Sequence, residues 1–316
     1  MEIAPGIHRI ETPLGDRFVC LYLLVGSEHA LLLDTGVDST PTEYLAPYLD
    51  EIGLAADKIR YVVNSHADFD HTAGNQSAKE LIPGALFMCH QLDLQQTEDI
   101  ELMISDRYGE YAHDHGIADP DEALDFIRNS TRTCRIDITL TGGESLRLGP
   151  EWAVEVWHTP GHSYGHISLY DPRGHNLVIA DATLYNAVLR ADGHSAFPPT
   201  YRYVDTYLAS MQRITAAKPN VLLTSHYPVY EGAGVAEFMG ESRAFVDRVD
   251  EALAKALQSE HTLKELTDLI SPDLGAWPAE SNPYLCFPLL GHLERLQLYG
   301  RVQTGRRNEL LTYKLK

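Results

Sequence analysis

The 316-residue sequence predicts a mixed α/β domain over residues 1–232, followed by a smaller helix-rich unit over residues 233–316. Three observations carry that prediction. Short Val/Leu/Ile-rich runs of strand length recur along the first part, and each stops at Asp or His followed by small or turn-forming residues. Segments with apolar residues at helical spacing lie between these runs, the alternation expected of an α/β fold. Beyond residue 232 the pattern changes to charged amphipathic stretches.

Taken in order, residues 7–36 read as several short strands, the last being Ala30-Leu31-Leu32-Leu33 running into Asp34-Thr35-Gly36. Pro41 to Ile52 carries Leu45, Tyr48, Leu49 and Ile52 at helical spacing. The strand Ile59–Val63 then delivers Asn64-Ser65-His66-Ala67-Asp68-Phe69-Asp70-His71. A helix is expected to open at Thr72-Ala73-Gly74-Asn75 and run through Leu81, with Pro83-Gly84 as its stop. Strand Ala85–Cys89 comes next. Residues 91–133 are mostly polar with helical periodicity broken at Gly116 to Pro120, which reads as a helical insertion. Three more strand-like runs end in Trp157-His158-Thr159-Pro160-Gly161-His162, Leu177-Val178-Ile179-Ala180-Asp181 and Val221-Leu222-Leu223-Thr224-Ser225-His226. The tail predicts a helix over Val235–Gln258, a short helix at Thr262–Leu266, a longer one over Pro288–Leu298, and a hairpin. The hairpin pairs Gly300–Gln303 with Leu310–Tyr313 around Gly305-Arg306-Arg307-Asn308, giving a winged-helix-like appendage.

The octapeptide after Val63 places four metal-ligand types in six residues, His66, Asp68, Asp70 and His71. Two imidazoles and two carboxylates crowded at one strand end are costly to bury unless each charge has a partner, and a metal is the natural one. Imidazole with carboxylate suits Zn, Fe or Mn, whereas an all-oxygen set points to Ca or Mg.

Together the five strand-end segments resemble the metallo-β-lactamase superfamily over roughly residues 1–230. That resemblance implies an αββα sandwich with a dinuclear site at one edge of the two sheets. It implies one ion held by His66, Asp68 and His162, a second by Asp70, His71 and His226, and Asp181 bridging both. Asp34 would support the cluster from outside it. The implied activity is hydrolysis of an ester-like bond by a hydroxide that the two ions hold, with thioester or lactone ranked ahead of β-lactam or phosphodiester. Asp70 would orient the nucleophile, and Tyr164, Tyr185 or Tyr227, close in sequence to the ligands, would donate to the oxyanion. Tyr108, Tyr111, His113 and His115 of the insertion are weaker candidates for substrate contact.

One position departs from the usual His-x-His-x-Asp-His cluster, because its second histidine is Asp68 here. With Asp68, Asp70 and Asp181 ionised against two divalent ions, the centre keeps about one positive charge, one fewer than the usual set. Zinc remains the first expectation, with iron or manganese favoured by the harder ligand. A similar exchange, to Glu, marks the di-iron oxidoreductases of the superfamily. Two alternatives therefore stay open, a di-iron oxidoreductase-like centre and a non-catalytic metal-binding protein of the same fold.

A net charge of −20 argues against nucleic acid or an anionic membrane as partner. In the tail, Arg301, Arg306 and Arg307 sit mainly in the hairpin, so a lid, packing or dimerisation role is preferred to DNA binding. The expected partner is a small-molecule substrate, with a homodimer left open. Met1-Glu2-Ile3-Ala4-Pro5-Gly6 lacks a basic region followed by an apolar one, so a cytoplasmic location is expected. Cys20, Cys89, Cys134 and Cys286 are scattered without paired spacing and read as buried, incidental thiols.

Overall fold

Leu31 and Leu33 face one way along their strand and Leu32 the other, yet all are fully buried, so this strand has an apolar layer on each side. A computed structural model describing residues 1–316 shows what those layers are. The first sheet has seven strands in chain order: Glu2–Ala4, Ile7–Leu14, Arg17–Val25, Ala30–Leu33, Ile59–Val63, Leu86–His90 and Ile138–Leu140. The first three pairings are antiparallel and the last three parallel. The second sheet runs Tyr230–Glu231, Val221–Thr224, Asn176–Ala180, Ile167–Asp171, Trp152–His158 and Ser145–Gly149 across its width.

The inner faces interdigitate. Leu31, Leu33, Val63 and Met88 from one sheet pack with Val154, Val156, Val178 and Leu223 from the other. On the outside of the first sheet, Leu32, Val62 and Phe87 bury against Leu45 and Leu49 of the helical segment Pro41–Glu51 and Ala78 of helix Asn75–Leu81. Outside the second sheet, Leu177, Ile179 and Leu222 meet Tyr207, Met211 and Ile214 of helix Val204–Ala217 and Phe238 and Phe245 of helix Ala233–Ala256. The layering is thus helix, sheet, sheet, helix, and each fully buried Leu or Phe in it contributes roughly 2 kcal/mol of burial.

The tail folds as helix Ala233–Ala256, strand His261–Thr262, helix Leu263–Leu274, a 3-10 turn Ala279–Leu285, helix Cys286–Leu298, and hairpin Val302–Arg307 with Leu310–Leu315. Strand Leu310–Leu315 lies between Val302–Arg307 and His261–Thr262. Its Leu263, Leu266, Leu289, Leu293 and Tyr313 belong to the same apolar cluster as Leu177 and Ile179, so the tail shares a core with the second sheet's outer helices. Arg306 pairs with Asp114, Arg307 with Glu265, and Arg295 with Asp205 and Asp250, which ties up these guanidinium groups within the chain. All four cysteines are free and buried. No helix is long and apolar enough to cross a membrane.

Several elements differ from the expectation. The helix expected to open within Thr72–Asn75 runs Asn75–Leu81 and is preceded by a short unexpected one, Phe69–Thr72; Gly74 between them passes so close to Thr35 that a Cβ there would lie 2.4 Å from its carbonyl oxygen. The tail hairpin turns at Asn308-Glu309, both left-handed (φ 51° and 69°), rather than around Gly305, so its strands are longer than expected. The insertion holds four short α-helices, Leu94–Glu98, Ile100–Met103, Ala112–His115 and Asp121–Asn129, with a π-helical turn at Ile104–Tyr108.

Candidate metal centre

Parallel pairing of Ala30–Leu33 with Ile59–Val63, and of Asn176–Ala180 with Val221–Thr224, brings four strand ends to one edge of the sandwich. Asp34, the His66–His71 segment, Asp181 and His226 follow those ends, and His162 follows strand Trp152–His158 of the second sheet. Two backbone bonds stitch the edge together across the sheets, from Cys20 N to Ser225 O (2.9 Å) and from Ile167 N to Ser65 O (2.8 Å). Ala180 turns left-handed (φ 43°) to send Asp181 inward. Gly161 at φ 147° allows the Pro160-Gly161-His162 turn to lie against helix Val204–Ala217, where a Cβ would come 2.5 Å from Tyr207 Cα.

All seven residues expected as ligands converge. Potential ligand atoms of His66, Asp68 and His162 lie within 4.8 Å of one another, as do those of Asp70, His71 and His226, and those of His66, His71 and Asp181. His226 Nε2 is 3.2 Å from Asp181 Oδ2 and 3.5 Å from Asp70 Oδ2. The imidazoles are aimed from behind. Nδ1 of His71 donates to Asp34 Oδ2 (2.9 Å), Nδ1 of His226 donates to Phe18 O (2.9 Å), and Nδ1 of His66 contacts Ser65 Oγ (2.9 Å). Each contact turns Nε2 toward the cluster. Asp34, fully buried, also accepts from Ser65 N (2.7 Å) and Ser65 Oγ (2.8 Å), which fits the supporting role expected of it.

Three buried atoms at the centre, His66 Nε2, His71 Nε2 and Asp181 Oδ1, have no hydrogen-bond partner. Orphaned buried polar atoms cost about 1–3 kcal/mol each, and three in one cluster of imidazoles and carboxylates are what a bound cation would satisfy. The charges already lean that way. Burial acts to raise the Asp181 carboxyl, but His226 beside it holds it well below the usual carboxylate range. Burial acts to lower His71, yet Asp70 and Asp34 push it up to about 10. The residues fit a divalent ion.

Sequence reasoning missed three contributors. Arg107, from the insertion, grips Asp68 with two bonds, Nε to Oδ1 (2.8 Å) and Nη2 to Oδ2 (3.0 Å), and its Nη1 donates to His162 O (3.2 Å). Burial acts to raise Asp68, but this guanidinium holds it well below the usual range, and burial with the same cation lowers His162 to about 4. The lost positive charge expected from Asp68 is thereby restored. An unpaired Asp in the cluster was the one signal that a cation had to come from elsewhere. Asp93 accepts from Ala67 N (3.3 Å), Ser163 Oγ (2.7 Å) and Gly165 N (2.7 Å), joining the two ligand loops. His166, fully buried, accepts from Asp181 N at Nε2 (3.2 Å) and stacks on His66. Its position four residues after His162 was a readable cue.

The tyrosines are placed differently from expectation. Tyr227 is buried with its hydroxyl donating to Ala187 O (3.0 Å), Tyr164 is 56% exposed and stacked on Tyr203, and Tyr185 stacks on Phe238. None of the three lines the cavity above the cluster, because packing and not sequence proximity directs each phenol. Tyr108 does line it, and its oxygen accepts from Phe69 N (3.3 Å). Tyr111 is buried, His113 pairs with Asp114 at the surface, and His115 packs near Tyr313.

That cavity measures about 230 Å³. Its floor is Asp68, Asp70, His162, Asp181 and His226, and Arg107 and Tyr108 stand in its wall. Phe69, Phe126, Ile127, Val188, Phe197 and Phe287 make the rest largely apolar, the last of them supplied by the tail.

The family model described as the metallo-beta-lactamase superfamily matches residues 14–226. The acyl-coenzyme A thioesterase MBLAC2 of Gallus gallus is 27% identical over 206 residues, covering 61% of this chain and 65% of that protein. A hydroxyacylglutathione hydrolase of Nitrosococcus oceani is 25% identical over 130 residues, 41% of this chain and 35% of that one. The chain therefore spans less than two thirds of the length of either relative. Among solved structures, a metallo-beta-lactamase family protein from Thermus thermophilus superposes with a TM-score of 0.78 at 22% identity, with both chains covered completely. A beta-lactamase domain protein from Burkholderia ambifaria gives 0.73 at 18%, covering all of this chain and 94% of that one. At these identities the likeness is one of fold.

Proposed function

This chain belongs to the metallo-β-lactamase superfamily, and from that membership and the geometry of its cluster we propose a metal-dependent hydrolase acting on a thioester with an apolar acyl group. The observation that carries the reading is the set of converging ligand atoms, three of them buried without partners, on the floor of an apolar cavity. Two relatives, named as an acyl-coenzyme A thioesterase and a hydroxyacylglutathione hydrolase, support the choice of bond.

His66, Asp68 and His162 would hold one divalent ion and Asp70, His71 and His226 another, with Asp181 between them and zinc the first candidate. Such ions polarise a carbonyl oxygen and make water nucleophilic at neutral pH. The remaining work falls to the chain itself. Asp70, at the cavity floor, accepts a hydrogen bond from the attacking water and orients it. Tyr108 already accepts from Phe69 N, so its own proton is free to donate to the oxygen that gains charge. The apolar wall binds the acyl group and strips water from the carbonyl. A thiolate leaves readily because its conjugate acid ionises near ~8.5, so the site needs no strong general acid for the leaving group.

The test is a panel of thioesters of increasing acyl length, with lactones, oxygen esters and phosphodiesters alongside. The reading expects thioester turnover that chelation abolishes and metal restores. Phosphodiester or lactone turnover with inert thioesters would replace the substrate class and keep the centre.

A further inference from the structure

The two halves of the cluster are not alike. Around Asp70, His71 and His226 the charged side chains in reach are the carboxylates Asp70, Asp34 and the shared Asp181, and His71 Nε2 is unpartnered there. In the other half, the guanidinium of Arg107 already stands among the ligands. Its Nη2 is 3.0 Å from Asp68 Oδ2 and 3.0 Å from His162 Nε2, which leaves only His66 Nε2 unpartnered in that half. Arg107 itself is 8% exposed, its Nη1 is bonded to His162 O, and the ring of Phe287 covers it at 4.7 Å. The cation is built in, clamped between a ligand loop and the tail.

We propose that Arg107 stands in for part of the charge of a second metal ion, so that the Asp70–His71–His226 half binds its ion tightly and the His66–Asp68–His162 half binds weakly. This rests on the reading of the cluster as a metal centre. The physical basis is twofold. Asp68 has both oxygens engaged by a bidentate partner that an entering ion must share or displace. A divalent ion entering that half would also lie within a few ångströms of a fixed positive charge, in a buried setting where water screens little. Arg keeps its charge at any pH the protein survives, so protonation offers no escape.

The measurement is Zn²⁺ titration of chelator-stripped full-length protein against a chromophoric competitor, read as the number and affinity of bound equivalents. Wild type is expected to bind one tight equivalent, with the second at least ~100-fold weaker. Arg107→Gln should strengthen the second equivalent by ~10-fold or more while leaving the first unchanged, the unchanged first equivalent reporting that the variant has folded. The double variant Asp68→His with Arg107→Gln, which rebuilds a neutral three-ligand half, should bind two equivalents of comparable strength. Two equal tight equivalents in wild type, or weakening of the second in Arg107→Gln, would overturn the inference and make Arg107 a support for Asp68 instead. Failure of wild type to bind zinc at all would overturn the metal-centre reading as well, which separates the two failures.

Discussion

Replacing Asp34 by Asn tests how the centre is organised from behind, because the two side chains share a shape and differ in charge and in what they can accept. Asp34 is fully buried and receives three hydrogen bonds, from Ser65 N, Ser65 Oγ and His71 Nδ1. With Asn oriented so that its oxygen keeps the bond to Ser65 N, its amide nitrogen faces Ser65 Oγ and His71 Nδ1. The serine hydroxyl can rotate and accept. His71 can accept at Nδ1 only by carrying its proton on Nε2, the atom that faces the cluster, and a protonated Nε2 cannot bind an ion. Disturbing an outer partner of this kind costs roughly 10–100-fold in metal affinity, equivalent to about 1.4–2.8 kcal/mol. Competition of the Asn variant and wild type for zinc against a chelator measures the loss directly. Long-range ¹H–¹⁵N spectra of the His71 ring show which nitrogen holds the proton. A variant that binds zinc within twofold of wild type, with Nδ1 still protonated, would show that Asp34 does not set the ring's tautomer.

Four further outcomes are expected. Tyr108→Phe removes a phenol proton from the cavity wall and should lower kcat by about 10²-fold with little change in KM, checked by steady-state kinetics on a thioester; an unchanged kcat excludes the role. Phe126→Ala opens the cavity wall and should raise KM about 10-fold for the longest acyl chain accepted, while leaving short chains nearly unaffected, since a pocket discriminates by the methylenes it covers. Gly161→Ala forces a side chain onto Tyr207 at a left-handed backbone position and should cost about 1–3 kcal/mol in denaturant unfolding; a cost near zero means the turn relaxes freely. Burial lowers His115 below its ordinary 6.5, so the unfolded chain takes up its proton first: its contribution to stability is full above that pH and is lost as pH falls below it. His115→Phe should therefore flatten part of the stability lost on acidification through the ordinary histidine range, followed by chemical denaturation, and parallel curves for both proteins would contradict this.

The candidate ligands stood out in the sequence because each follows an apolar strand-like run, and their grouping around two ions came from the resemblance to the metallo-β-lactamase superfamily. His66, Asp70, His71, Asp181 and His226 follow strands whose parallel pairing carries their C-terminal ends to one sheet edge, whereas His162 follows the antiparallel strand Trp152–His158. The surroundings of the ligands were not legible. Arg107 reaches Asp68 across 39 residues and Asp93 reaches Gly165 across 72, distances over which no periodicity speaks. The insertion read as a helical segment near the site, but which of its residues faces the cavity depends on a π-helical turn at Ile104–Tyr108 that composition does not announce. Tyr164, Tyr185 and Tyr227 were named for closeness in sequence, whereas Tyr227 spends its hydroxyl on Ala187 and Tyr164 lies on Tyr203. The tail's share in the cavity wall, through Tyr284 and Phe287, likewise arises from tertiary packing and from no local pattern.

Whether the cluster is a catalytic metal centre is decided by metal content and thioester turnover measured together on one preparation, purified without added metal, then stripped with chelator and reloaded. Bound zinc, or iron or manganese in its place, is expected, with thioester hydrolysis that disappears and returns with the metal. Protein that holds no metal, or that hydrolyses thioesters at an undiminished rate once stripped, would contradict a metal-dependent hydrolase.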